Sequence, residues 1–271
     1  MSQKVMKASV YVAAALTVGI IGFMLFYILI MGIPHLKPEL FSFTYTTENV
    51  SMLPALIITV ILTMVSLLVA IPVGVFSAIY LVEYAKRGNK FVKIIRITAE
   101  TLSGIPSIVY GLFGMLFFVT TLKWGYSILA GAFTLAIMIL PLIMRTTEEA
   151  LQAVPDTFRE GSYGLGAGKL RTIFIIILPA AIPGILSGIV LAIGRIVGET
   201  AALIFTAGTV AKIPGKDGLF SSGRTLAVHM YALSSEGLYV NQAYATAVVL
   251  VLIVVAMNGL SSFIAKKLTK S

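Results

Sequence analysis

Long apolar runs separated by short polar segments make up most of this chain. A helix that crosses a membrane needs about 20 predominantly apolar residues. Six stretches approach that length, at residues 8–33, 54–82, 102–122, 126–144, 179–205 and 241–264. Lys4 and Lys7 precede the first run as in a signal peptide, but the run is too long and no small-residue cleavage site follows it before Pro34. It is expected to be a retained helix. The pattern therefore predicts an all-α integral membrane protein of about six transmembrane helices.

Helix breakers interrupt this pattern at particular places. Pro72 and Gly74 fall inside the second run, Gly104 and Pro106 interrupt the start of the third, and Pro179 and Pro183 open the fifth. Each proline removes a backbone donor and frees a carbonyl, which lipid tolerates only where a neighbouring helix or a wet cavity supplies a partner. Gly184, Gly188 and Ala192 recur at four-residue spacing, as do Gly194 and Gly198. Such stripes permit close helix approach, and packing within the chain is the simplest use for them.

Composition narrows the class. With 58% hydrophobic and 11% charged residues over 271 positions, no room is left for an appended soluble catalytic or nucleotide-binding unit, so residues 1–271 are expected to form one membrane domain. The absence of Cys excludes disulfides, thiol catalysis and thiolate metal sites. A net charge of +9 does not indicate nucleic acid here, because the basic residues sit in the connections. One alternating set of connections holds Lys4, Lys7, Lys86, Arg87, Lys90, Lys93, Arg96, Arg145, Arg159, Lys169, Arg171, Lys266, Lys267 and Lys270. The other holds only Lys37, Lys123, Lys212, Lys216 and Arg224. Basic connections stay in the cytoplasm, so both termini and the 145–172 loop are expected there, and the 206–240 connection outside.

The loop is the most polar segment between long runs. Thr146 to Glu149 and Thr157 to Glu160 both carry the Thr-x-x-Glu spacing of a capping box, which predicts two short helices separated by Pro155. Gly161, Gly164, Gly166 and Gly168 predict a tight turn, after which Leu170, Ile173, Phe174 and Ile177 lead an apolar face into the membrane. Glu160 either caps its helix or anchors a partner. Gly164 to Lys169 resembles part of a phosphate-binding loop, but Tyr163 and Leu170 stand where that loop needs Gly and Ser or Thr. An ATP site in this chain is therefore not expected, and energy would have to come from a partner.

Arg195 and Glu199 carry the sharpest chemical signal, since an i, i+4 pair shares a helix face and a charge at the bilayer centre costs ~2.5–3.5 kcal/mol. They are either a neutralising pair that fixes helix rotation or part of an anion path in which Arg195 offers a planar set of donors and Glu199 restrains it. Arg96 and Glu100 flank the third run and read as interfacial. His35 and His229 lack metal-ligand spacing and are expected to be solvated. Residues 212–236 read as a solvated external loop that could touch a solute receptor. Trp124, Tyr80, Tyr84 and Tyr126 suit interfacial anchoring. No Ser/His or paired-Asp arrangement supplies a nucleophile and base, so an intramembrane enzyme ranks last. A secondary anion transporter or channel remains a reading of the charged pair.

Certain motifs go further. Glu160-Gly161-Ser162, Gly166 and Ile176-x-Leu178-Pro179 resemble the EAA loop of ABC importer permeases, with Gly161 and Ser162 where alanines are usual. Ser103 to Gly111, Arg145 to Glu149 and Gly194 to Ala201 resemble the phosphate-import permeases. Gly198 to Gly208 is closer to the PstA-type subunit than to the PstC-type, although proline is common where Ala202 stands. The resemblance implies the type I (MetI-like) importer permease fold and a transport subunit without catalysis. Implied partners are a homologous PstC-type permease, two copies of a cytoplasmic ATPase that hold ATP and Mg, an extracytoplasmic phosphate-binding protein and membrane lipid. No cofactor or metal is implied on this chain. On the same resemblance Arg159, Glu160, Gly161, Ser162 and Gly166 would dock the ATPase, and Arg195 and Glu199 would line the substrate path. Arg145, Glu148, Glu149 and Glu100 are the gating candidates. An ABC permease for another oxyanion is the alternative within the same class.

Overall fold

The computed structural model describes residues 3–86 and 88–269, and every regular element among them is helical. Of the basic residues counted above, Arg87 and Lys270 lie outside the described residues, as do the side chains of Lys4, Lys266 and Lys267. Five helices are long and apolar enough to cross a membrane: Val5–His35, Leu53–Tyr84, Ile128–Gln152, Lys169–Val197 and Val240–Gly259. A sixth candidate is a broken pair, α3 (Lys90–Ser103) and α4 (Ser107–Gly114, continued by a wide turn to Thr121), whose arms meet at 102°. Gly104 and Pro106 cause the break, because Pro106 cannot supply the helical donor and disfavours helical geometry at the residue before it. α3 carries Lys90, Lys93 and Arg96 among apolar residues, so it is too polar on one side to follow α4 into an apolar layer. The interruption expected at Gly104 and Pro106 is thus a sharp bend, and the third span draws in α3 ahead of the 102–122 run.

The core is built on α2 (Leu53–Ile79) and α5 (Ile128–Gln152), where Ile58, Leu62, Leu135 and Ile139 are fully buried. The Ser66 hydroxyl joins the two helices by donating to the Ala132 carbonyl at 3.0 Å. α8 (Leu178–Val197) lies against α5 through its glycine stripe. A Cβ on Gly188 would overlap the Thr146 side chain, and one on Gly184 would lie 2.7 Å from the Ala150 Cβ. These small residues therefore serve packing within the chain, where close backbone approach rather than water exclusion holds helices together in lipid. Gly194 and Gly198 make no such approach, and a Cβ on Gly194 would meet open space. α1 (Gln3–Gly32) packs on α11 (Val240–Thr269) at its end, where the Tyr27 and Tyr244 rings are 5.9 Å apart and Gly32 lies against the Tyr244 backbone, and most of the rest of it is exposed.

Several boundaries differ from those the hydropathy pattern predicts. α5 runs on past residue 144 to Gln152, so Thr146 to Glu149 is helix interior, and the Thr146 hydroxyl donates back to the Leu142 carbonyl at 2.9 Å. α6 (Asp156–Gly164) begins behind Pro155 without a side-chain cap, so the second capping box is also unformed. The causes differ: Thr146 to Glu149 lie inside a helix that has already started, whereas α6 starts at Asp156 behind Pro155, too early for Thr157 to cap it. The fifth span begins earlier, at Lys169 in α7 (Lys169–Thr172), and passes through a wide turn at Ile173–Ile177 into α8. It also ends earlier, at Val197. Given that Gly188 lies beside Thr146 on α5, α8 stops well short of the Ile128 end of that helix, and the chain returns through the short α9 (Ala201–Ile204). Gly111 of α4 packs against the Ala202 backbone there.

The 212–236 segment is a solvated loop only in part: Lys212 and Gly215 to Asp217 are exposed. It contains α10 (Leu226–Glu236), capped by the Thr225 hydroxyl and pinned by the Leu226 amide donating to the Thr59 hydroxyl of α2 at 2.8 Å. His229, expected in water, is fully buried, and His35 is half-buried, with Nδ1 2.9 Å from the Met31 carbonyl. Trp124 stacks on Phe118 at 5.3 Å instead of standing free at an interface.

Candidate functional site

Two features at the end of the bundle where α5 meets α6 bring the charged residues together. The first is the loop of α6, α7 and their connection. Gly166 takes φ +81°, a left-handed conformation that an L side chain adopts only at a cost, and reverses the chain between the two helices. Ser162 is buried, and its hydroxyl meets that of Thr172 at 2.8 Å, closing the loop on itself. Gly161 and Glu160 are exposed, and Gly161 has open space around it. Of the residues proposed for docking, Glu160, Gly161 and Gly166 thus lie on the outer surface, and Ser162 does not.

Arg159 turns inward. Its guanidinium Nε and Nη2 donate to Glu83 Oε1 at 3.1 and 2.8 Å. Nη2 also donates to the Leu151 carbonyl at 3.0 Å, while Nη1 donates to the Val154 carbonyl at 2.9 Å and to Asp156 at 3.0 Å. One side chain therefore fastens the start of α6 to the end of α5 and to the far turn of α2. Burial alone would lower the Arg159 pKa, but Glu83 first and Asp156 second outweigh it, and the group is held above its ordinary value. Glu83 is 5% exposed, and sequence reasoning missed it. The available signal was a lone acid ending an apolar run just before a basic connection.

The second feature is a cavity of about 660 Å³ beside the loop, lined by Arg96, Glu100, Arg145, Glu148, Glu149 and Arg195. α3 supplies Arg96 and Glu100, α5 supplies Arg145, Glu148 and Glu149, and the last turn of α8 supplies Arg195. Arg96 pairs with Glu148 at 2.5 Å across the α3 to α5 boundary, and Gln152 donates to the same carboxylate at 3.0 Å. Arg145 pairs with Glu149 at 3.0 Å along α5. Arg195 is half-buried and, among the described residues, has no carboxylate within 4 Å.

The expected Arg195 to Glu199 pair is not formed. Gly198 ends α8 between the two residues, so they no longer share a helix face. Glu199 is buried and accepts the Ala202 amide at 3.1 Å, which caps α9 and shapes the return of the chain. The cavity thus gathers the four gating candidates and Arg195, and leaves Glu199 in a structural position. No group of three or more His, Asp or Glu side chains suited to a metal occurs among the described residues.

Comparisons with known proteins agree on one class. Residues 70–270 match the binding-protein-dependent transport system inner membrane component family. The chain is 35% identical over 283 residues to the probable ABC transporter permease protein YqgI of Bacillus subtilis, spanning 95% of this chain and 93% of that protein. It is 33% identical over 257 residues to the phosphate transport system permease protein PstA of Haemophilus influenzae, spanning 94% and 90%. Among solved structures, a bacterial alginate ABC transporter in complex with its alginate pentasaccharide-bound periplasmic protein superposes with a TM-score of 0.67 at 16% identity, over 99% of this chain and 98% of the other. An inward-facing MetNI methionine ABC transporter gives 0.61 at 19% identity, over 79% and 93%. At these identities the structures speak for the fold alone, which is that of the MetI-like importer permeases.

Proposed function

The chain belongs to the binding-protein-dependent transport system inner membrane components, and on that premise we propose that it is the PstA-type permease subunit of an ATP-driven phosphate importer. It forms one membrane domain and half of a translocation path, beside a homologous PstC-type permease. Two copies of a cytoplasmic ATPase bind and hydrolyse ATP with Mg, and an extracytoplasmic phosphate-binding protein delivers the anion. Both termini and the loop of α6 and α7 face the cytoplasm, as the excess of basic residues on that side requires. The relatives named as phosphate permeases support the substrate.

One observation carries the reading. In a cavity where Arg96 and Arg145 are each neutralised by a glutamate, Arg195 has no such partner among the described residues. A half-buried guanidinium so placed suits a passing oxyanion, because its planar donors match phosphate oxygens two at a time. Arg96 and Glu148 with Arg145 and Glu149 form the surrounding gate, and Glu100 lends the cavity a negative charge that hinders trapping of the anion. At the loop, Glu160 and Gly161 meet the ATPase, and Arg159 relays the position of α6 to α2 and α5.

Replacement of Arg195 tests this reading. Arg195→Gln should leave insertion and ATPase association intact and abolish uptake of labelled phosphate, while Arg195→Lys keeps a charge without the two-pronged donor and retains only a fraction. Uptake by Arg195→Gln at the parent rate would remove Arg195 from the path.

A further inference from the structure

A second arginine lies buried at the opposite end of the bundle. Arg224, just before α10, is 6% exposed, and its Nε and Nη2 have no hydrogen-bond partner. Those two nitrogens line one edge of the guanidinium. Arg159 presents the same edge to Glu83 at 3.1 and 2.8 Å, which is what that edge does when satisfied. Arg224 has no equivalent. All eleven acidic residues lie within the described residues, yet none is within 4 Å of it, and its near neighbour is the Tyr45 ring, 4.7 Å from the guanidinium carbon.

His229 meets the same ring edge-on, at 6.1 Å and 89°. It is fully buried, and among the described residues its ring nitrogens have no partner beyond a weak approach to the Val50 backbone. Buried polar groups in native proteins are almost always paired, and an unpaired buried charge is the costliest exception. Val50 closes over this cluster at 1% exposure with φ +45°, a left-handed conformation that a β-branched residue rarely adopts. Strain of this kind concentrates at ligand clamps and moving segments.

We propose that Arg224 and His229 form a second oxyanion site, which takes a free tetrahedral anion of the phosphate class at the receptor-facing end when the segment around Val50 lifts. The Nε and Nη2 edge supplies two donors, and the neutral imidazole, which packs against the same Tyr45 ring, supplies a third. A tetrahedral anion can use a third donor, and a planar side-chain carboxylate cannot use it equally well. The proposal rests on the reading of the chain as an oxyanion permease and adds a station ahead of Arg195.

The test is equilibrium binding of labelled inorganic phosphate to the complete transporter without its receptor, in an Arg195→Gln background so that the two arginines are separated. The background complex should bind phosphate, with sulfate competing and acetate not. Addition of Arg224→Gln should abolish that binding, and addition of Arg224→Lys, which guards against misassembly, should weaken it at least tenfold. Unchanged binding in the Arg224→Lys and Arg224→Gln complexes, or no binding in the background complex, overturns the site. Competition by acetate as strong as by sulfate also overturns it, in favour of a partner's carboxylate. A transporter with Arg195 intact that binds anion through Arg224 but imports no phosphate would refute the importer reading and leave this site standing.

Discussion

Arg159 and Glu160 are adjacent in sequence and point in opposite directions, one into the bundle and one into solvent. Their division of labour makes the inward residue a matter of stability and the outward one a matter of recognition. Glu83→Ala takes the buried carboxylate from Arg159 and leaves it Asp156 and the Leu151 and Val154 carbonyls, whereas breaking a buried pair outright costs roughly 3–5 kcal/mol. With 15% of the Arg159 side chain still in water, the lower end of that range is expected. Thermal unfolding of the purified chain should therefore shift down clearly for Glu83→Ala, and recover in part when Glu83→Gln is combined with Arg159→Met. Equal stability of Glu83→Ala and parent would dismiss the strut. His229 gives a second residue-level expectation. Burial first, and the Arg224 charge second, lower its pKa from 6.5 to about 3, with the Val50 backbone offsetting a little. Between those values the unfolded chain binds a proton that the folded chain refuses. Stability from this group is complete above pH 6.5 and falls by up to about 1.4 kcal/mol per unit as the pH drops toward 3. His229→Gln should flatten that part of the stability profile, and an unchanged slope would contradict it.

At the scale of elements, the α5 to α8 contact depends on two glycines, whereas Gly194 on the same helix faces open space. Gly188→Leu forces a side chain into Thr146 and should destabilise the purified chain by about 1–3 kcal/mol. Gly194→Leu should leave it unchanged. Thermal unfolding of the two variants side by side checks this, and equal losses would contradict the packing. The break between α3 and α4 was legible in Gly104 and Pro106, because a missing donor acts in any surroundings. The early end of α8 was not, since residues 201–205 are as apolar as the helix before them and hydropathy does not tell a continuing helix from a returning one. Gly198 was the sole local signal. For the same reason the pattern stopped α5 at residue 144: it senses the apolar layer, and the helix continues past it. The Arg195 and Glu199 pair was inferred from spacing on a helix that ends between them. The burial of Arg224 and His229 depends on α10 folding back onto α2, which no local pattern encodes.

On the scale of the whole molecule, the loop and the cavity meet through α5, which carries three of the gating candidates and ends at the carbonyls that Arg159 holds. A displacement of α6 therefore reaches α2 and α5 directly, and through α5 the Arg96 to Glu148 bridge. On the proposed docking, this would give ATP hydrolysis by a partner a mechanical route to the cavity. The most direct test is phosphate accumulation in proteoliposomes that contain the complete transporter and its receptor. Accumulation should require ATP on the loop side and should be lost with Glu160→Lys, while the variant chain stays inserted. Accumulation that persists without ATP, or in Glu160→Lys at the parent rate, would contradict the account and favour a self-sufficient carrier.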